Sequence, residues 1–322
     1  MSLHRRHVLL GAAAALMPPL TRAQTVLPDI MKIIVPFAPG NTIDASARWF
    51  GEAYRKATGR NVVIENKPGA ATTIAASEVS RAKPDGSVVL WTTGSHTLTA
   101  VLMKKVPYEP VDGFTPVTMV SDGFGFVIVT RANAPFNKVQ DLVDAAKKDP
   151  GKFTYASTGM GGGPHVLGAQ LAKSTGVELL HVPYRADFFT DLIGGVTDIM
   201  FMGPQLAIPF IESGKLKALG MTGDRRFPGL PNVPTLAEAG LKDVNLPAYL
   251  AIYAPPNMQA PVLATLHEGI AKALRDPGFI AQFKSVGMEP SAMSPTAFKA
   301  YLQAEMQTFR RTLPPLGIQM DL

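Results

Sequence analysis

Two stretches of this 322-residue chain combine glycine, hydroxyl and amide side chains at spacings that suit the capture of an anion. The first is Lys32–Arg48, KIIVPFAPGNTIDASAR. Ile33 to Val35 read as a short apolar strand, Pro36 to Gly40 as a turn, and a helix opens near Thr42. A strand that passes through a glycine turn into a helix leaves backbone N–H groups without intrahelical partners, and the helix dipole adds positive character at the same place. Such an end suits a carboxylate or a phosphate. Thr42 is placed to cap the helix and Asp44 stands in its first turn; on a purely local reading both only finish the helix. The second stretch repeats the device: Phe153 to Ser157 run into Thr158-Gly159-Met160-Gly161-Gly162-Gly163-Pro164, and a helix follows from about His165 to Ser174. The hydroxyls of Ser157 and Thr158 suit a carboxylate or the backbone of their own loop. His165 suits an anion if charged, and otherwise packs as a neutral ring at a helix start.

Other chemistries fit poorly. Gly159–Gly163 lacks the Gly-Lys-Ser/Thr end of a P-loop and the spacing of a dinucleotide fingerprint. Ala156-Ser157-Thr158-Gly159 is not the G-x-S-x-G elbow of a hydrolase. The six histidines are dispersed and there are no cysteines, so no thiolate site, disulfide, metal site or cofactor is expected, and no catalytic residue is assigned. Further along, Arg185 suits a second carboxylate through its planar fork, or stands solvated beside Asp187. Phe188-Phe189 either wall a pocket or form the core face of a short helix, and Trp91 and His96 are candidates for the rim of a cleft.

These loops need a scaffold, and the chain is apolar enough to build one: 46% of residues are hydrophobic and 17% charged. Residues 1–23, with a basic start at His4-Arg5-Arg6-His7, an apolar run and Thr21-Arg22-Ala23, are expected to be a signal peptide that sends the protein to the periplasm; Arg5-Arg6 fits a twin-arginine signal loosely, which leaves the export route open. Without its three arginines the formal charge falls from +6 to +3. No basic cluster with interleaved aromatics remains, so nucleic acid is not an expected partner.

From Ile33 the pattern reads βαβαβ: a helix over Ala45–Thr58 ended by Gly59, strand Asn61–Glu65, helix Thr72–Arg81 and strand Ser87–Trp91. After a turn-rich loop over Pro107–Thr115, a strand over Phe124–Thr130 begins a second unit. Helix Lys138–Lys148, strand Phe153–Ser157, the helix from His165, strand Val177–Val182, helix Phe188–Ile193 and strand Thr197–Phe201 repeat the grammar of the first unit. A strand over Lys217–Met221, a short helix begun by a capping box at Thr235 and Glu238, and extended Asn245–Tyr253 follow. Helices over Pro261–Leu274 and Ser294–Leu313 close the chain. Crossings near Phe124–Val127 and Asn245–Ile252 divide it into two α/β domains, residues 24–125 with 247–322 and residues 126–246, joined by a two-stranded hinge. Ligands of open α/β sheets sit beyond the carboxyl ends of the strands, so two such edges facing each other make a closing cleft.

Taken together, PFAPGNTIDASAR, NVVIENKPGA, KPDGSVVL, FTPVTMV, YASTGMGGGPHVLGAQL, HVPYR, GGVTDIMF, VPTLAEAGL and YLAIYAPP resemble, in collinear order from about Ile30 onward, the Bug-type substrate-binding components of tripartite tricarboxylate transporters. The resemblance implies an α/β, type II periplasmic-binding-protein fold that closes on a small organic carboxylate without reacting with it. The family's first ligand loop falls on Phe37, Ala38, Pro39, Gly40, Asn41, Thr42 and Asp44, and its second on Ala156, Ser157, Thr158, Gly159, Gly161 and His165. Backbone N–H groups and ordered water would hold one carboxylate between them. Asn41 stands where the family usually has a glycine, and the loop after Tyr184 is shorter than usual, with Ala186 and Asp187 replacing a glycine. The implied partners are membrane permease subunits, with a sensor protein as the alternative and an enzyme on the same fold as a distant third. The receptor is expected to be a monomer.

Overall fold

The computed structural model describes residues 27–123, 125–184 and 187–321. The expected signal peptide lies outside the described residues. The first unit opens with β1 (Ile30–Val35), α1 (Thr42–Thr58), β2 (Asn61–Asn66), α2 (Thr73–Ser80) and β3 (Val88–Thr93). β2, β1 and β3 are parallel neighbours, as the βαβαβ pattern requires. Alternate residues of β1 enter different cores: Ile33 and Val35 meet Phe50, Tyr54 and Trp91 on one face, and Ile34 meets Leu90 and Phe298 on the other. Both faces are buried, so the strand reads as an unbroken apolar run.

α3 (Ser95–Leu102) and β4 (Thr115–Asp122) complete the outward path. Neither element follows from the sequence pattern. β4 is the edge strand of its sheet, the position where Pro116, which has no N–H to give the ladder, is tolerated. The chain then enters the second unit: β5 (Val127–Arg131), α4 (Val139–Lys148), β6 (Thr154–Ser157), α5 (Gly163–Thr175), β7 (Leu180–Pro183), α6 (Phe188–Gly194), β8 (Ile199–Met202), α7 (Pro204–Glu212) and β9 (Leu216–Met221). The strand expected from Phe124 begins at Val127, and Phe124 itself is outside the described residues. The bonds of the expected capping box form, Thr235 N–H to Glu238 Oε2 at 2.7 Å and Glu238 N–H to Thr235 Oγ1 at 3.1 Å, but they close a turn over 236–240 instead of starting a helix. The chain returns through β10 (Tyr249–Ala254) and ends with α8 (Ala260–Ala273), α9 (Pro277–Ser285) and α10 (Pro295–Thr312).

The two sheets share a plan. The first has the order β2-β1-β3-β10-β4 and the second β7-β6-β8-β5-β9. In each, three parallel strands carry the βα turns and two antiparallel strands carry the crossings. The expected correspondence of β1 with β6, β2 with β7 and β3 with β8 is therefore also a correspondence of place. Each sheet with its helices forms one α/β unit.

The crossings touch each other. Gly123 N–H donates to Ala248 O at 2.6 Å, and a Cβ at Gly123 would lie 2.3 Å from that oxygen, so only glycine lets the two segments approach so closely. Beside them, Thr222 N–H donates to Phe126 O at 2.7 Å and Phe126 N–H to Thr222 Oγ1 at 2.8 Å. Among the described residues no helix is long and apolar enough to cross a membrane.

Candidate functional site

Parallel strands put all their carboxyl ends on one edge of their sheet; that edge of the first sheet carries the turn 36–41 after β1, and that of the second the turn 158–162 after β6. In the first, the helix cap is Asn41 and not Thr42. Asn41 Oδ1 accepts from the N–H groups of Ile43 at 2.8 Å and Asp44 at 2.9 Å, while its Nδ2 donates to Ala38 O at 2.7 Å. The residue that departs from the family's glycine thus spends its amide on the loop. Asn41 holds extended backbone (φ −83°), so its amide, not a tolerance of positive φ, explains its place; the positive φ, +86°, belongs to Gly40.

Asp44 is buried and also faces inward. Its carboxylate accepts from Gly40 N–H at 2.9 Å, from Arg48 Nε at 3.1 Å and Nη2 at 3.0 Å, and from Asn66 Nδ2 at 2.9 Å. Burial alone would raise its pKa, but the bonds from Arg48, Gly40 and Asn66 outweigh it and hold the carboxyl below its ordinary value. Asn66, at the carboxyl end of β2, also donates to Phe37 O at 3.0 Å. Much of the expected anion-binding capacity of this helix start is therefore used internally. What remains is the exposed Thr42, whose N–H has no partner among the described residues, and the exposed Ala38; Pro39 has no N–H to give and that of Gly40 is held by Asp44. Phe37 is half-buried against the core of the first sheet.

The second turn is braced differently. Ser157 is wholly buried; its Oγ lies 2.6 Å from His181 Nε2 and accepts from Gly159 N–H at 3.1 Å. Ser157 has no exposed surface, so its hydroxyl does not meet an acyl carbon in this conformation. His165, at the start of α5, accepts from Gly161 N–H through Nδ1 at 3.0 Å. Its ring stacks on His181 with centroids 3.8 Å apart and planes 3° from parallel, and Tyr155 stacks on His181 at 5.0 Å. Burial, helped by the neighbouring His181, lowers the His165 pKa to about 4, and burial lowers that of His181 too, so both rings are neutral at neutral pH. Of the expected contact residues here, Thr158 is exposed and Gly159 half-exposed, whereas Ala156, Ser157, Gly161 and His165 stand behind the surface.

Arg185 lies outside the described residues. Phe188 and Phe189 pack on each other at 4.4 Å, and Phe189 stacks on Phe210 of α7 at 4.3 Å, the core-face arrangement. Trp91 and His96 are fully buried and do not rim a cleft: Trp91 Nε1 donates to Ser46 Oγ at 3.2 Å and His96 Nε2 lies 2.8 Å from Pro110 O. Three residues beside these turns escape sequence reasoning. Asn66, at the carboxyl end of β2, and Arg48, within α1, converge on Asp44, and His181, within β7, on Ser157. The turn after β2 is strained as well, with Ala70, Ala71 and Thr72 at φ of 44°, 48° and 79°. Across the units, Gln205 Nε2 on α7 donates to Gly287 O at 2.9 Å, beside the end of α9.

Comparison with known proteins agrees with this geometry. A family model described as the tripartite tricarboxylate transporter family receptor matches residues 46–317. The periplasmic binding protein BugD superposes with a TM-score of 0.77 at 31% identity, over 91% of this chain and 99% of BugD. MatC of Rhodopseudomonas palustris, solved with bound malate, is 26% identical with a TM-score of 0.75, over 88% of this chain and 98% of its own. Rpa4515 of R. palustris, solved with adipate, is 25% identical with a TM-score of 0.79, over 91% and 99%.

Proposed function

Because the chain belongs to the tripartite tricarboxylate transporter family of receptors, we propose that it is a periplasmic solute receptor that captures a small organic carboxylate by hinge closure and presents it, unreacted, to membrane permease subunits. The observation that carries this reading is the placement of two glycine turns at the carboxyl-end edges of two sheets with the same plan, linked by crossings that touch at Gly123 and Ala248. The malate of MatC and the adipate of Rpa4515 support an aliphatic di-acid as the ligand class.

The two lobes are residues 24–125 with 247–322, and residues 126–246, acting as a monomer. Thr42 and Thr158 offer hydroxyls and backbone N–H groups to one carboxylate, with Ala38, Pro39, Gly40 and Gly159 shaping the pocket and water completing its bonds. Arg185 is proposed for the second carboxylate. Asn41, Asp44, Ser157, Gly161 and His165 hold the turns from behind, where the energy of a carboxylate bond depends on donors already in place.

A thermal-shift screen of malate, adipate, longer di-acids, aromatic acids and amino acids against the protein starting at Gln24 tests the reading. An acid at ~100 times its dissociation constant adds about 2.7 kcal/mol, which is a shift of several degrees at this size. A response confined to carboxylates, with the acid recovered unchanged, is the expected result. Turnover of the acid, or a response only to uncharged solutes, overturns it.

A further inference from the structure

The tail segment that follows α10 runs between the two units. Met320 N–H donates to Leu102 O at 2.9 Å, and Met320 pairs with Met103 as a parallel β-bridge, which attaches the tail to the end of α3 in the first unit. Lys104 and Asp321 add an exposed ion pair at 2.8 Å that contributes little by itself. On its other side the tail meets the second unit. Lys173 Nζ on α5 donates to Pro315 O at 3.0 Å, and Ile318 and Met320 lie in one apolar cluster with Tyr155, Leu167 and Leu171.

The closest approach is at the second glycine turn. A Cβ at Gly161 would lie 2.1 Å from Met320 Sδ, 2.8 Å from Cε and 3.0 Å from Cγ. Gly161 has φ +72° and gives its N–H to His165 Nδ1. Two demands therefore fall on one residue: a left-handed backbone, and no side chain where the thioether sits. The turn's inner face is closed by the His165–His181 stack and its outer corner by Met320, and Met160 between them points outward with 56% of its surface exposed.

We infer that Met320 is a positioning residue for the carboxylate site: the C-terminal tail holds the Gly159–Gly161 turn in its binding shape and ties that turn to α3 of the opposite lobe. The inference rests on the receptor function proposed above. The thioether fills the corner left by glycine and blocks the turn from relaxing outward, while the bridge to Leu102 and Met103 supplies the anchor. Ligand affinity then depends on a side chain that never touches ligand, as expected where binding needs donors fixed before the ligand arrives.

Hydrogen–deuterium exchange of the ligand-free protein tests the local claim without any ligand. Met320→Ala is expected to speed exchange of the amides over 158–166 about tenfold, with Val139–Lys148 in α4 unchanged and Met320→Leu close to wild type. Unchanged exchange over 158–166 in Met320→Ala overturns the inference, and so does an equal rise in every segment, which would mean global destabilisation. Should Met320→Ala fail to fold, Met320→Val carries the same comparison with more apolar surface retained. Calorimetric titration with malate and adipate then reads the functional consequence, an affinity loss of about tenfold for Met320→Ala, restored by Met320→Leu, at a temperature where each variant is folded. An affinity equal to wild type with faster exchange overturns the link to binding. If wild type binds neither these acids nor any in the wider panel, the receptor reading fails, while the exchange result still decides whether the tail holds the turn.

Discussion

At 36–41 the turn is held by residues within four positions of it, Asn41 and Asp44, plus Asn66 on the adjacent strand, and nearly all its bonds involve a charge or an amide. At 158–162 local bonds from Gly159 N–H to Ser157 Oγ and from Gly161 N–H to His165 Nδ1 are backed by His181, through a hydrogen bond and ring stacking, and by Met320, more than 150 residues away, through close packing. The first turn is held mainly by nearby polar groups, and the second adds a distant tertiary contact to its local bonds. In the proposed site the pair meets one ligand from two lobes, so the difference means that one half of that site is held mainly by nearby sequence and the other also by the completed fold.

The sharpest way to break this comparison is Gly161→Val. A β-branched side chain must adopt φ +72° and displace Met320, a combination expected to destabilise by on the order of 3 kcal/mol. Chemical denaturation should show that loss; a loss under 0.5 kcal/mol would mean the turn is not held by the fold in the way described. On the first turn the effects are smaller and local. Asn41→Ala should cost about 1 kcal/mol and Asn41→Gly only a few tenths, because glycine tolerates the cap position without the side-chain bond. Equal losses for the two would contradict the capping role.

The turns should also part company with pH. In the unfolded chain His165 takes a proton near 6.5, but in the fold not until about 4, so the unfolded state holds more protons between those values and stability falls as the pH falls through that window. Asp44, with its lowered pKa, keeps its contribution until the pH falls below the ordinary 3.8. Glu305 on α10 works in the opposite direction. Burial raises its pKa from 4.5 to about 7 despite bonds from Thr97 and Tyr249, so its contribution is whole below 4.5 and is lost as the pH rises through 7. Melting temperature against pH should therefore fall less steeply below 6.5 in His165→Gln, where His181 still contributes, and less steeply above 4.5 in Glu305→Gln. Profiles parallel to wild type would refute these assignments.

The same division decides what could be read from the sequence. Strand β1, its turn and α1 were legible because apolar run, Pro/Gly turn and helix stop lie within one short window, and the parallel order of β2, β1 and β3 follows from βαβ chirality and spacing. The position of the cap was missed by one residue: Asn41 and Thr42 both qualify by type, and only the backbone angle (φ −83°, ψ 170° at Asn41) separates them. β4 was hidden because Pro116 is a strand breaker everywhere except at an edge, and edges are defined by partners far along the chain. For the second turn, residue types announced Ser157, Thr158 and the glycines. That Ser157 is buried on His181, and that Met320 sits over Gly161, depends on pairing of β6 with β7 and on where the tail lands. His181 was present in the quoted HVPYR motif, but a histidine inside a strand carries no local sign of its partner.

The account comes down to whether a carboxylate sits between the exposed faces of these two turns. The most direct measurement is calorimetric titration of the acid with the largest thermal shift into wild type and Thr158→Ala, whose exposed hydroxyl has no hydrogen-bond partner among the described residues. The account predicts saturable one-to-one binding to wild type and an affinity loss of about tenfold in Thr158→Ala, in keeping with a hydrogen bond to a charged group, at an unchanged melting temperature. Equal affinity in the two proteins would contradict it.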